Sequence, residues 1–190
     1  MIKEHIKHFE FTEEDIADGK YDGWELIEPF RYSVNIYDGL EEYNNDMADM
    51  TIAQRRLFAI HIYNSQVNNG GHHQFFFNSS GIVWKDALDG LRMIGDDADA
   101  DNFQKAIDKF GGNVPFDRAE RNEALDRIGD IDVFDEIDRA YYERNSLFNS
   151  REGEGVERYL MEYIKSHPAE FVVNGDFPYF DGFQFVEFRF

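Results

Sequence analysis

Three histidines, two adjacent serines and a run of alternating aspartates are the residues of this chain whose type and spacing invite a chemical reading. His72 and His73 are neighbours and His61 stands eleven positions earlier, which raises an imidazole metal site as a possibility. No carboxylate completes it: residues 51–85 contain no Asp or Glu, and a zinc-binding helix carries its histidines at a same-face spacing such as four residues. Histidines that hydrogen-bond locally are the simpler expectation. Ser79-Ser80-Gly81 places hydroxyls near the imidazoles, but without the strand-turn-helix elbow that exposes a nucleophile it defines no triad. Gly70-Gly71 lacks the Lys-Ser/Thr pair of a phosphate loop. In Asp97-Ala98-Asp99-Ala100-Asp101 the oxygens alternate as at the start of a calcium loop. The sixth position, however, is Asn102 instead of the glycine of the sharp turn, and the twelfth is Asp108 instead of a longer Glu. Pairs such as Asp135-Glu136 and Glu41-Glu42 match glycosidic chemistry in type, but 39 acidic residues guarantee such pairs by chance. The expectation is a protein without catalytic residues, metal or cofactor.

Composition narrows the class further. A chain of 190 residues fits one domain over residues 1–190 and buries a core without staples. With no cysteine there is no disulfide and no thiolate, which fits a reducing compartment and makes the cytoplasm the expected location. No stretch approaches the roughly 20 apolar residues of a membrane helix, so a soluble protein is expected. The net charge of −20 repels phosphate backbones and anionic membranes, excluding both as direct partners, and steers basic proteins inward at low salt. An aromatic content of 16% with 19 Phe excludes a disordered acidic tail.

Capping and hydrophobic spacing predict a mainly α fold. Thr12-Glu13-Glu14-Asp15 has the form of a capping box, and Gly19 with Asp22-Gly23 should end the short helix it opens. The acidic stretch Glu41 to Asp49 reads as a turn region. Thr51 should cap a helix with an apolar face of Ile52, Ala53, Leu57, Ile60 and Ile62, ending near Asn68–Gly71. Ile82, Trp84, Ala87, Leu88, Leu91 and Ile94 recur at 3.6-residue spacing, with Gly95 as the terminating glycine. Asp99 or Asp101 is the expected cap of a helix carrying Phe103, Ala106, Ile107 and Phe110. Further helices are predicted near 117–128, 132–144 and 155–166, with Pro168 as a stop. Phe171-Val172-Val173 before Asn174-Gly175, together with Phe183-Gln184-Phe185 and Phe188-Arg189-Phe190, predicts one or two short C-terminal strands.

Between the first two long helices lies an uncharged, amide-rich segment. Asn69, Gly70 and Gly71 supply left-handed freedom at a helix end, Gln74 and Asn78 share a helical face, and Phe75-Phe76-Phe77 can anchor the next turn. The amides of Asn69, Gln74 and Asn78 are expected to bond loop backbone. This run, Asn69-Gly70-Gly71-His72-His73-Gln74-Phe75-Phe76-Phe77-Asn78-Ser79-Ser80-Gly81, resembles the signature of the bacterial DNA-mimic protein family, of the form N-G-G-x-x-Q-[FY]-[FLY]-x-N. Ala87-Leu88, Met93-Ile94-Gly95, Phe110 and Ile131-Asp132-Val133-Phe134-Asp135 are similar to the same family, so the resemblance covers about residues 51–144. It implies a mostly helical domain, a homodimer in many members, and no known enzymatic chemistry. In that family the characterised role is occupation of the DNA-binding surface of a transcription factor.

Carboxylates on adjacent helices can reproduce part of the charge of a duplex. Asp96, Asp97, Asp99 and Asp101 form one cluster, and Asp126, Asp130, Asp132, Asp135, Glu136 and Asp138 a second. The expected partner is a basic DNA-binding protein or another basic protein. Two other readings stay open: an immunity or antitoxin protein that neutralises a basic toxin, and an uncharacterised enzyme or metal-binding protein.

Overall fold

The structure, a computed structural model, describes residues 5–129, 131–145 and 155–179. The C-terminal repeats at 183–185 and 188–190 and the carboxylate of Asp130 lie outside the described residues.

Local capping explains where most helices begin. Thr12 accepts the Asp15 amide and opens α1 (Glu13–Ala17). Asp22 and Glu25 then exchange side-chain and backbone bonds across the start of α2 (Gly23–Ile27). Asp22-Gly23 is thus the start of a helix as well as the end of a turn, because Glu25 supplies the second half of a capping box. The stretch expected to be an acidic turn contains α3 (Leu40–Asp46), which buries Tyr43 completely. Thr51 and Gln54 form a second reciprocal box at the head of α4 (Ile52–Phe77).

Helix α4 is broken, as expected, at Gly70-Gly71, where Gly71 takes φ +73°. A 3-10 turn, Ser79–Val83, leads to α5 (Trp84–Met93), and Gly95 at φ +80° ends that helical stretch. Helix α6 (Asp97–Asp108) is capped by Asp96 and not by Asp99 or Asp101, because the helix starts earlier than its apolar spacing required. Asp117 caps α7 (Arg118–Ile128). A 3-10 turn at Ile131–Phe134 precedes α8 (Asp135–Asn145), and α9 (Val156–Ser166) is followed by a 3-10 turn opened by Pro168.

Two strands close the fold. β1 (His5–Phe11) pairs antiparallel with β2 (Val173–Tyr179), from His5 opposite Tyr179 to Phe11 opposite Val173. The C-terminal strand therefore begins where the sequence reading ended it: Asn174-Gly175 runs straight through the ladder instead of turning. Phe9 and Phe11 point inward from β1, and Phe177 bridges Phe9 to Phe30 through edge-on ring contacts. A continuous core runs from these rings to a buried aromatic kernel of Tyr63, Phe75, Phe76, Phe103, Phe134 and Tyr141. Among the described residues no helix is long and apolar enough to cross a membrane.

Candidate functional site

The amide-rich segment folds into a helix break held shut from outside by α8. The Gly71 backbone sits in the left-handed region, and a Cβ there would overlap the Asp138 carboxylate, so only glycine fits. Just after the break, Asp138 Oδ1 accepts both the His72 backbone N–H, at 2.9 Å, and His72 Nδ1, at 2.5 Å. A carboxylate 66 residues away in sequence thus caps the second half of α4 as a local N-cap residue would. One turn further along α8, the Tyr142 hydroxyl donates to the Val67 carbonyl at 2.7 Å. The α-helical partner of that carbonyl is the amide of Gly71, at the break itself. Asp138 and Tyr142, spaced i and i+4, span the donor and acceptor sides of one kink.

The amide side chains converge on each other. Gln66 Oε1 accepts from Gln74 Nε2 at 3.2 Å and from Asn78 Nδ2 at 3.0 Å. Gln74 and Asn78 are half-buried and Asn69 is exposed, so the expected bonds to loop backbone are replaced by a side-chain junction across the kink. Phe75 and Phe76 are fully buried, whereas Phe77 is 44% exposed and lies under the Arg118 guanidinium.

Below the segment sits Arg121, wholly buried. Its Nε donates to the Phe76 carbonyl at 2.6 Å, its Nη2 to Asn78 at 2.8 Å, and its Nη1 to Pro115 and Phe116 at 3.0 and 2.9 Å. Gly81 is required because a Cβ would overlap this guanidinium. Burial, with Arg118 adding to it, lowers the Arg121 pKa to about 10 against the pull of Asp117. The cation is held by carbonyls at the C-terminal end of α4, where the helix dipole is negative. No local signal marked it: the helix predicted near 117–128 does not say that Arg121 faces inward, and its burial depends on a helix 45 residues away.

The three histidines do not meet. His61 lies against Trp24 with ring centroids 4.5 Å apart and planes tilted by 48°, His73 stacks on Phe77, and His72 is enclosed between Asp138 and Tyr63, whose hydroxyl lies 2.9 Å from Nε2. Carboxylate, imidazole and hydroxyl form a relay-like row. His72 and Tyr63 are both fully buried, however, and burial pushes the Tyr63 phenol far above its ordinary range, so the row can neither meet a substrate nor supply a nucleophile. The Ser80 hydroxyl donates to the Phe75 carbonyl and touches no histidine. Among the described residues no group of three or more His, Asp or Glu side chains could hold a metal ion.

The acidic clusters are split by the packing of α6 against α8. Asp96 and Asp99 are buried, at 0% and 1% exposure, and Arg144 donates to both, at 2.7 and 2.9 Å. Asn145 donates to Asp99 Oδ2 and its own Oδ1 accepts the Val156 amide, linking α6, α8 and α9. Burial first, and the Asp99 charge second, raise the Asp96 pKa to about 6 while Arg144 pulls it down. Asp138 is turned into the kink. The remaining predicted carboxylates, Asp97 and Asp101 on α6, Asp132 on the 3-10 turn, Asp135 and Glu136 on α8, and Asp126 on α7, are exposed. None of them forms an ion pair among the described residues. Asp97, Asp101, Asp135 and Glu136 lie on two helices that pack together, whereas α7 packs on α4 and the 3-10 turn after it.

The family model described as DMP19-like protein matches residues 48–167, well over half of the chain. The chain belongs to the DMP19-like family. The match takes in the broken helix, its α8 staple, both acidic clusters and α9, and leaves β1, α1 to α3 and β2 outside. No curated protein and no solved structure matches the chain. Membership of the DMP19-like family therefore rests on the helical body, and the terminal sheet lies beyond it.

Proposed function

We propose that this DMP19-like protein is a non-enzymatic DNA mimic of the cytoplasm that occupies the DNA-binding surface of a basic protein such as a transcription factor. The observation that carries the reading is the set of exposed carboxylates on α6, the 3-10 turn and α8 that form no ion pair among the described residues, on a chain of net charge −20. A surface built for phosphates binds through Lys and Arg and releases counterions as it does so. Exposed carboxylates on adjoining helices offer that surface the same charge, with no competing ion-pair partner among the described residues. Asp96, Asp99 and Asp138 act beneath this face by fixing the helices that display it.

The test is capture of basic proteins from the native lysate on the immobilised protein at low salt, followed by elution with duplex DNA. The expected result is a DNA-binding protein that duplex displaces. Neutralising Asp97, Asp101, Asp132, Asp135 and Glu136 to Asn or Gln should weaken capture and flatten its salt dependence while the helical circular dichroism is kept. A captured basic protein that duplex fails to displace would sink the mimic reading and favour neutralisation of a toxin.

A further inference from the structure

His61 is an imidazole that no function described above uses, and its setting is unusual. It lies on α4 at 2% exposure, and its Nε2 has no hydrogen-bond partner among the described residues. One face carries the Trp24 ring. The remaining space is closed by Gly23 and Leu160: a Cβ on Gly23 would sit 2.8 Å from His61 Nε2 and 2.9 Å from Leu160 Cδ2. The lid over the ring is α2, a five-residue helix packed on α4 and α9 that buries only Gly23, Leu26 and Ile27.

The charged groups around the ring come from α2 and α9. Asp22, at the N-cap of α2, is the counter-charge that acts on the ring, but its Oδ1 is already bonded to the Glu25 amide in the capping box. Glu157 on α9 is pushed upward by burial and then by the Asp22 charge, with the Gly23 backbone opposing. α4 itself contributes no carboxylate, because residues 51–85 contain no acid. A neutral imidazole tolerates this pocket; an imidazolium is desolvated there, with only the Asp22 charge and the Gly23 backbone in its favour. It is relieved by reaching water, or by drawing Asp22 out of the capping box. Both routes loosen the same short helix.

We propose that His61 is an acid-sensitive latch: its protonation detaches α2 from α4 and α9 and turns Trp24 out to water. Burial supports this direction, since it lowers the His61 pKa to about 4 and Asp22 and the Gly23 backbone restore only part of the loss. The ring is therefore neutral with α2 closed at neutral pH, and release occurs as the pH falls through the interval from 6.5 to about 4. The open state exposes Leu26 and Ile27 beside Trp24.

The test uses the full chain labelled with 5-fluorotryptophan, which gives one fluorine resonance for Trp24 and one for Trp84, assigned with Trp84→Phe. On acidification, with far-UV circular dichroism held constant, the Trp24 resonance should move and its solvent isotope shift should rise about twofold. Trp24 is 47% exposed in the closed state, so full exposure roughly doubles its contact with water. The Trp84 resonance should stay fixed. His61→Phe, which keeps a ring against Trp24 without the titration, should abolish the movement. In the unmutated chain, the His61 ring signals should titrate with the same midpoint as Trp24. A Trp24 transition that persists in His61→Phe, a midpoint distinct from that of His61, or loss of circular dichroism at the same pH would overturn the latch.

Discussion

Asp138 separates a structural carboxylate from a surface one on the same helix, and the difference can be measured. Its side chain is 16% exposed and the His72 ring it holds is fully buried. Asp138→Ala removes the acceptor of a backbone N–H at the kink and of an imidazole nitrogen. Each donor left unsatisfied costs about 1–3 kcal/mol, and the loss includes the N-cap of the second half of α4, worth about 1 kcal/mol by itself. A destabilisation of about 3 kcal/mol follows. With a urea slope of about 2–3 kcal/mol per molar, the unfolding midpoint should fall by about 1–1.5 M. Asp138→Asn keeps one acceptor oxygen without the charge, and should lose about half as much. Asp135→Ala, three residues earlier and exposed, should stay within about 0.5 kcal/mol of the unsubstituted protein yet weaken partner capture, which Asp138→Ala should spare wherever it is folded. Equal midpoints for Asp135→Ala and Asp138→Ala would refute the staple and return Asp138 to the surface face.

Three further outcomes are expected. Arg121→Met should lower stability by about 3–5 kcal/mol in thermal or urea unfolding, because one buried and three partly buried carbonyls lose their donor. Arg121→Lys should not restore it, since a single ammonium cannot span the fork. Gln66→Ala should cost more than Gln74→Ala or Asn78→Ala, about 2 kcal/mol against about 1, because Gln66 Oε1 is the shared acceptor of both half-buried amides; equal losses in urea midpoint would rule out the junction. Asp96 binds its proton more tightly in the folded state, at about 6, than in the unfolded chain at 3.8. Its contribution to stability is therefore present below pH 3.8 and lost as the pH rises through about 6. Asp96→Asn, which keeps a capping side chain, should gain stability relative to the unsubstituted protein between pH 4 and pH 7, and urea midpoints at both ends of that range check the sign.

The elements legible in the sequence are those whose causes lie within one turn of chain. Thr51 with Gln54, Asp117 with Glu120, and Gly95 mark helix ends because a cap is satisfied by residues three or four positions away. The break at Gly70-Gly71 was readable for the same reason, and the net charge of −20 follows from the residue types alone. What stayed hidden depends on contacts between distant segments. β1 carries only two inward rings, Phe9 and Phe11, and its partner strand lies at the opposite end of the chain. Asn174-Gly175 carries a turn signal that cross-strand pairing overrides. The acidic clusters make the limit clearest. Asp96, Asp99 and Asp138 have the same side chain as Asp97, Asp101 and Asp135, and helical spacing states only which of them share a face. Whether a face is covered is decided by which helix crosses it. Arg144 reaches Asp96 and Asp99 across 48 and 45 residues of sequence, and His72 reaches Asp138 across 66, so burial and pairing, the properties that divide structural carboxylates from exposed ones, arise only when α8 packs on α6 and on α4.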